Sequence, residues 1–385
     1  MLSHWPGVIV SLGAVICKTA VSPHPCGVIC LAMDAPVIID DASLNRLVRS
    51  ILQAEGLSPA RAGLVSDSLV SASLRGVDSH GIHLLPHYIR QIRKGNIDVC
   101  TDGRIISESG GCLLYDGEHG LGQCVSAACC GHAVRLARGQ GTGLVVARNS
   151  NHFGAAAFWA QRISAEDMIG IVMCNASPSV PPWQGREGRI GTNPICVSVP
   201  STGAGGWLLD MATTTVALNK IVKAAANGEP RIPAGWATDS EGVPTTDTQV
   251  ALRGLLMPLG GYKGSGLGLM IEVLCAVLSG GAMSTEVGGL HNLDRPMNTS
   301  QLFLAIDVER FVPLQEFQSR MDRLIRTIKS AQPAPGYDEV LVAGDPESRS
   351  EESRRANGIP VDGVVWGRLK ALARESGVEI PGPRQ

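Results

Sequence analysis

Residues 143–154 read Gly-Leu-Val-Val-Ala-Arg-Asn-Ser-Asn-His-Phe-Gly, an aliphatic run that passes directly into a polar one. Residues 143–147 are aliphatic and begin with glycine, which predicts a buried strand. Residues 148–154 then lie where the chain leaves the sheet, and they place the imidazole of His152 among amides and a hydroxyl. This stretch predicts a sheet with a ligand-facing edge.

A second histidine, further upstream, has similar neighbours. Ser79 and His80 stand in the motif Asp78-Ser79-His80-Gly81, at the start of a predicted helix. The ordinary interpretation is a capping serine beside a surface histidine. Because imidazole exchanges protons near neutral pH, His80 and His152 together make proton transfer the first functional hypothesis.

Composition narrows the functional classes. The chain has 385 residues and a net charge of −2, with both signs of charge mixed along it. This balance gives no electrostatic case for a nucleic-acid partner. Eleven cysteines are scattered without a CxxC pair, which favours reduced thiols in a cytoplasmic protein over a disulfide framework or a zinc site.

The first 32 residues differ from the rest. They contain two apolar runs, at 7–17 and 27–31, each too short to span a bilayer. We interpret residues 1–32 as an extension before the true start at Met33, unstructured or absent from the mature protein. A signal sequence is the alternative, although a basic start is missing. No membrane partner is predicted.

Periodicity divides the remaining chain into three regions. Residues 33–104 show helical spacing, and residues 105–300 alternate short apolar runs with Gly, Pro, Asn and Ser turns. Residues 301–385 carry a strand and amphipathic helices predicted to pack back on the N-terminal region. The class is α/β. No early GxGxxG follows a strand, so the fold is predicted to be non-Rossmann.

A glycine-rich turn precedes an apolar helix predicted over residues 266–278, which we expect to be buried. The turn contains Gly260, Gly261, Lys263 and Gly264. Converging backbone N–H groups, the helix start and the lysine together suit a phosphate or pyrophosphate. A glycine-rich turn that merely caps a core helix explains the same residues equally well.

Three further polar groups follow or precede predicted strands. Asp210 ends an apolar strand, where it either pairs with a histidine or caps the next element. Asn175 and Ser177, in Asn175-Ala176-Ser177-Pro178, and the motif Gly191-Thr192-Asn193-Pro194 have turn chemistry. These amides and hydroxyls are either structural or available to a nicotinamide or ribose.

A metal site is disfavoured. His80, His83 and His87 have spacings of three and four, which place them on neighbouring helical positions. No Cys or carboxylate completes the set, and His83 and His87 share their side with Arg90 and Lys94. A solvated helix face is the simpler interpretation.

Five motifs occur in one order along residues 37–378. They are Arg75-Gly76-Val77-Asp78-Ser79-His80-Gly81, Arg148-Asn149-Ser150-Asn151-His152-Phe153-Gly154, Gly191-Thr192-Asn193-Pro194, Asp210-Met211-Ala212-Thr213 and Pro258-Leu259-Gly260-Gly261-Tyr262-Lys263-Gly264. Together they resemble the malate/L-lactate dehydrogenase family, whose relatives include ureidoglycolate, sulfolactate and 2,3-diketogulonate dehydrogenases or reductases. The resemblance implies a mixed, largely antiparallel central sheet between helical N- and C-terminal layers, and a cytoplasmic homodimer.

The resemblance also implies an activity and a site. The activity is a dehydrogenase that acts on a CH–OH group, moving a hydride between NAD or NADP and the C2 carbon of a small 2-hydroxy or 2-keto acid. His80 and His152 match the proton-transfer positions, and Asp210 would orient His80 with Ser79 beside it. The residues implied to line the dinucleotide are Asn175, Ser177, Asp210, Met211, Ala212, Thr213, Gly260, Gly261, Lys263 and Gly264, with Asp345 closing over it.

One departure from the family pattern concerns the substrate. The family has arginine four residues after the first histidine, where it grips the substrate carboxylate, and here Leu84 occupies that position. The alternative hypothesis is therefore a catalytically impaired homologue that binds dinucleotide. A third hypothesis, a histidine-based metal hydrolase, is disfavoured by the missing Cys or carboxylate ligands.

Overall fold

A computed structural model describes residues 36–201 and 206–384 of the chain. The predicted extension, residues 1–32, lies outside these ranges. The described strands are β1 (Val37–Ile39), β2 (Arg104–Ser109), β3 (Cys112–Asp116), β4 (Thr142–Ser150), β5 (Met168–Cys174), β6 (Ile195–Ser198), β7 (Leu208–Met211), β8 (Ala237–Thr238), β9 (Pro244–Thr245), β10 (Thr299–Asp307) and β11 (Ile359–Val361).

Helices surround these strands. In the same ranges they are α1 (Asp41–Ala54), α2 (Pro59–Leu74), α3 (Leu85–Lys94), α4 (Gly122–Gln140), α5 (Ala156–Ser164), α6 (Leu218–Ala226), α7 (Thr248–Ala251), α8 (Tyr262–Glu272), α9 (Leu314–Lys329), α10 (Asp345–Asn357) and α11 (Gly363–Glu375). Two 3₁₀ turns, Asp78–His80 and Ile82–Leu84, join α2 to α3, and a π-helical turn, Val273–Val277, continues α8.

The centre of the fold is a seven-stranded sheet in the order β2-β3-β4-β10-β5-β6-β7. Among its described strands only β3 and β4 run parallel, and every other neighbouring pair is antiparallel. The α/β, non-Rossmann, mostly antiparallel prediction is therefore confirmed. The predicted strand at residues 143–147 forms the interior of β4, where Val145 and Ala147 are fully buried.

Helices α4 and α5 cover one face of this sheet. Their aliphatic and aromatic side chains pack with β4, β5 and β10 around Trp159 and Phe303. The approach is close at Gly143, because a Cβ there would lie 2.0 Å from the carbonyl oxygen of Ala133 on α4. A glycine at this position of β4 is therefore required for the helix to dock.

A separate core joins the two ends of the described chain. Leu44, Leu47, Val48, Ile51 and Leu52 form the buried face of α1, as their spacing predicts. Strand β1 pairs antiparallel with β11, and α11 packs into the same core through Trp366 and Leu369. This core supports α3 and the two 3₁₀ turns that carry the first histidine motif.

The prediction of a buried helix over residues 266–278 is wrong for much of its surface. Helix α8 and its π-helical turn bury Ile271 and Cys275, but Leu269 is 56% exposed and Val277 is 57% exposed. The cause is that this segment is apolar on nearly all sides, and a single sheet covers only one side of a helix. Helix α9 likewise has no buried residue in the described chain.

Candidate active site

The fold brings the two histidine motifs together. His80 ends the 3₁₀ turn Asp78–His80, and His152 lies in the loop that follows β4. Their rings are stacked, with centroids 5.6 Å apart and planes inclined by 22°. Both residues are half-buried. The fold thus forms a pair of imidazoles from distant parts of the chain.

Tyr88 contacts this pair and was not among the residues predicted from the sequence. It is buried on α3, and its hydroxyl lies 2.7 Å from Nδ1 of His152. The available signal was a tyrosine on an apolar helix face, because a buried hydroxyl needs a hydrogen-bond partner. Burial raises the pKa of Tyr88 far above its usual value, so the hydroxyl keeps its proton.

The hydrogen bonds around His152 define its tautomer. The backbone N–H of Gly154 points at the same Nδ1 atom, at 3.2 Å, and an amide can only donate. Nδ1 therefore accepts, and in the neutral ring the proton resides on Nε2. His80 is less constrained, because its Nδ1 contacts Ser79 Oγ at 2.9 Å and a hydroxyl can donate or accept.

Both imidazoles are neutral at pH 7. Loss of water around the rings lowers the pKa of His80 to about 4 and that of His152 to about 3. Charge on other histidines adds to the effect: His83 disfavours protonation of both rings. A neutral pair offers one hydrogen-bond donor and one proton acceptor to a ligand.

The polar residues before His152 mostly hold its loop. Asp116 accepts hydrogen bonds from Arg148 Nε at 3.1 Å and from Asn149 Nδ2 at 3.0 Å. Asn149 itself has φ 51°, in the left-handed region that asparagine tolerates. Asn151 donates to the carbonyl oxygens of His119 and Gly120. The polarity of residues 148–151 is thus largely structural, and it fixes where His152 points.

Backbone hydrogen bonds join three of the other sequence motifs, those that contain Thr192, Thr213 and Leu259, at one junction. The backbone N–H of Thr213 donates to Thr192 O at 2.9 Å, and Leu259 N–H donates to Thr213 O at 2.9 Å. Gly264 closes the turn by donating to Leu259 O at 2.7 Å. A Cβ on Gly264 would lie 2.3 Å from Leu259 N, so a larger residue would disrupt this junction. Met211 and Ala212 lie half-buried beside it.

The start of α8 suits an anionic group. Gly260 and Gly261 have φ 59° and 68°, conformations that glycine adopts without strain. A Cβ on Gly260 would meet no atom nearer than 4.0 Å, which leaves room for a ligand. Lys263 is exposed in the first helical turn, where backbone N–H groups lack intrahelical partners. These residues fit a dinucleotide phosphate.

Asp210 is exposed on β7. Its Oδ2 accepts a hydrogen bond from Ala157 N at 2.9 Å, at the start of α5. No hydrogen bond joins Asp210 to His80 within the described ranges, so the structure does not bring these two together in one chain. Their pairing stays a prediction.

The remaining residues predicted to line the cofactor differ in whether their side chains are already bonded within the protein. Asn175 is buried, and its side chain bonds to Ala282 O, Ser300 N and Glu272, so its amide is committed to the interior. Ser177 is half-buried in the loop after β5. Asp345 begins α10, where it accepts from Val342 N at 2.9 Å and pairs with Lys329 at 2.8 Å.

Leu84 and its neighbours depart from expectation. Leu84 is 4% exposed and packs in the core shared by α1, α2 and α11. Residue 84 therefore offers no side chain to a ligand. His83 and His87, predicted to lie on a solvated face, are instead half-buried. The correction arises because residues 290–292 cover that side of α3, through hydrogen bonds from Gln91 to Leu290 O and Asn292 O.

In the part of the chain that the structure describes, no helix is both long enough and apolar enough to cross a membrane.

Comparison with known proteins gives one consistent result. The family model described as malate/L-lactate dehydrogenase matches residues 39–370. The L-sulfolactate dehydrogenase of Methanocaldococcus jannaschii is 36% identical over 344 residues, which cover 89% of this chain and 98% of that protein. The malate dehydrogenase of Pyrococcus horikoshii is 38% identical over 347 residues, covering 88% and 95%.

Solved structures agree with these sequence matches. A crystal structure of malate dehydrogenase from Entamoeba histolytica superposes with a TM-score of 0.86 at 29% identity. The similarity covers 90% of this chain and 99% of that chain.

Proposed function

The chain belongs to the malate/L-lactate dehydrogenase family, and on that premise we propose that it transfers a hydride between NAD or NADP and the C2 carbon of a small 2-hydroxy or 2-keto acid. The observation that carries the proposal is the stacked pair of His80 and His152. Two similar proteins are named for malate and for L-sulfolactate, both 2-hydroxy acids.

The two histidines have different roles in this proposal. His152, whose proton is held on Nε2, donates a hydrogen bond to the oxygen on C2 and stabilises negative charge that develops there. His80 exchanges the hydroxyl proton: its neutral ring accepts it during oxidation and returns it during reduction. The bound nicotinamide would supply or accept the hydride. Ser79 holds His80 through Nδ1.

The dinucleotide would lie along the glycine turn and the junction beside it. The start of α8 would receive the phosphates: Gly260, Gly261 and Gly264 would shape the turn beside them, and Lys263 would supply positive charge. The loop residues proposed to line the rest of the cofactor are Ser177, Asp210, Met211, Ala212 and Thr213, with Asn175 holding that loop from inside and Asp345 at its edge.

Two copies of the chain would form the working enzyme in the cytoplasm. The exposed apolar side of α8 and its π-helical turn includes Leu269, Val277 and Leu278, each more than half exposed. Contiguous apolar surface of this kind is typical of a subunit interface. The eight cysteines in the described ranges are free thiols, which suits a reducing compartment.

The test is an absorbance assay of NADH and NADPH with a panel of 2-keto acids. We expect turnover by the unmodified chain and a loss of about 100-fold or more in kcat for His152→Ala, because a lost donor to a developing oxyanion costs this much. His132→Ala, which changes a half-buried histidine on α4, is the matched control. Equal rates for His152→Ala, or no turnover of any acid by the unmodified chain, would contradict the proposal.

A further inference from the structure

Helix α10 is polar along its whole length. Its residues, Asp345–Asn357, include no apolar side chain other than those of Pro346 and Ala356, and none of them is buried in the described chain. A helix of this kind cannot be held in place by burial of an apolar face. Polar contacts therefore decide where α10 packs.

Helix α10 packs against the end of α2, directly before the first 3₁₀ turn. Gly76 lies at the contact, where a Cβ would lie 2.7 Å from Ser350 Oγ. The hydroxyl of Ser350 donates to Leu74 O at 3.2 Å, and Glu351 pairs with Arg75 at 3.3 Å. These contacts bring α10 beside the segment that leads into the first histidine motif.

Arg354 on α10 binds this turn directly. Its Nη1 and Nη2 donate to the two carboxylate oxygens of Asp78, at 2.6 and 3.0 Å, in a bidentate arrangement. Nη1 also donates to Ser73 O, in the last turn of α2. The side chain of Arg354 is only 18% exposed, so packing holds the guanidinium in this position. These three bonds, here called the Arg354 clamp, tie the turn to the end of α2.

His80 is two residues from Asp78 and shares its turn. The backbone N–H of His80 donates to Val77 O at 2.9 Å, and that of Gly81 donates to Asp78 O at 3.2 Å. Hydrogen-bond geometry in a 3₁₀ turn is poor, and no side chain caps the start of this one. The turn therefore depends on outside contacts, and movement of Asp78 moves the imidazole.

The other end of the turn has an anchor of a different kind. Ser73 Oγ accepts a hydrogen bond from Ile82 N at 3.1 Å. Gly81 permits this contact, because a Cβ there would lie 2.2 Å from Ser73 Oγ. His80 thus lies between an anchor supplied by α2 and the Arg354 clamp supplied by α10. The clamp can be removed without altering α2 or the histidine motif itself.

We propose that Arg354 is a positioning residue for proton exchange by His80: it holds Asp78 and so fixes where the imidazole lies. This inference rests on the proposed function. It gives a role in the reaction to a helix 276 positions along the chain from Asp78. Because Arg354 acts through Asp78 and not on the substrate, its loss should lower kcat.

The cofactor residues should not respond to loss of the clamp. Asp345, the residue of α10 implied to close over the dinucleotide, accepts hydrogen bonds from Lys329 Nζ at 2.8 Å and from Val342 N at 2.9 Å. The glycine turn before α8 is closed by its own backbone bonds, including that from Gly264 N to Leu259 O. Neither contact involves Arg354. Loss of the clamp should thus separate kcat from KM for the cofactor.

The experiment measures kcat and KM with the keto acid that the unmodified enzyme reduces fastest, for that enzyme, Arg354→Gln and Arg354→Lys. We expect kcat to fall about 10- to 100-fold in Arg354→Gln, because displacing a reacting group by about 1 Å can cost up to 100-fold. Arg354→Lys should recover part of the loss, because lysine keeps the charge but not the planar fork. KM for NADH or NADPH should change less than about twofold, since no contact to the cofactor is removed.

Arg355→Gln is the matched control on the same helix. The guanidinium of Arg355 bonds to Glu351 at 2.6 Å and to Asp41 at 3.1 Å instead of to the turn. We expect kcat of this variant to stay within about twofold of the unmodified value, because an exposed ion pair contributes little. A thermal melt of both glutamine variants shows that each one folds.

Asp78→Asn tests the route from Arg354 to His80. Two residues that act through one contact are not independent, so their effects should not multiply. The double variant Asp78→Asn/Arg354→Gln should therefore have a kcat within about twofold of the slower single variant.

Three results would overturn the inference. Equal kcat values for Arg354→Gln and Arg355→Gln would remove the positioning role and leave the proposed function intact. Losses that multiply in the double variant, together with a raised KM for the cofactor, would assign α10 a structural role only. Absence of turnover of every acid by the unmodified chain would remove both the proposed function and the inference.

Discussion

The stacked pair and the imidazole cluster of His83, His87 and His291 differ in what surrounds each ring. In the pair, desolvation is the main reason for the low pKa values, and hydroxyl and amide groups contact Nδ1. In the cluster, cationic neighbours add to desolvation, and no acid offsets them at His87. The first environment suits neutral rings that exchange a proton, and the second disfavours protonation of His87.

Lowering the pH should destabilise the folded chain, because the environment of the stacked pair keeps His80 neutral. The pKa of His80 is about 4 in the folded chain and near 6.5 in the unfolded chain. At pH values between these two pKa values, the unfolded state therefore binds more protons than the folded state. The free energy of unfolding should therefore fall by about 1 to 2 kcal/mol from this group alone between pH 7 and pH 5. Urea denaturation at both pH values measures it.

His80→Gln is the comparison for that prediction. The variant removes the titrating ring, so the drop in unfolding free energy between pH 7 and pH 5 should become smaller. An unchanged drop would mean that the ring of His80 is better solvated than the structure indicates, and the contrast between pair and cluster would weaken.

Loss of the Tyr88 hydroxyl should have the next largest effect. Tyr88→Phe leaves only the amide of Gly154 to hold the proton of His152 on Nε2, so we expect kcat to fall about tenfold, the size of one lost hydrogen bond. KM should change less than kcat, because the ring remains. Tyr115→Phe, on β3, removes a hydroxyl that bonds elsewhere and is the control. Equal losses in both variants would indicate a structural effect.

The smallest expected effect concerns Ser79. Ser79→Ala removes the hydroxyl that contacts Nδ1 of His80. A neutral hydrogen bond at a partly accessible site contributes about 1 kcal/mol, so kcat should fall roughly fivefold. The pH profile of kcat should also shift, because the serine biases the titration of His80. Ser164→Ala, which breaks a hydroxyl contact with Ser198, should leave that profile unchanged.

Local pattern predicted much of the secondary structure. The apolar face of α1 follows from residue spacing. Ser58 and Pro59 at the start of α2, and Gly95 at the end of α3, are residue types typical of helix ends. The interior of β4 follows in the same way. The central place of β10, between β4 and β5, does not, because strand order depends on pairing partners far away in the chain.

The same distinction between local pattern and tertiary structure applies to the candidate site. Residue types by themselves determined that His80 and His152 were the groups able to exchange protons and that the glycine turn could approach a phosphate. Only the tertiary structure decided that the two rings stack, that Tyr88 and Gly154 fix one tautomer, and that Asn175 and Leu84 face the interior. The physical reason is that chemical capacity belongs to a side chain, whereas pKa, tautomer and accessibility depend on neighbours brought near by packing.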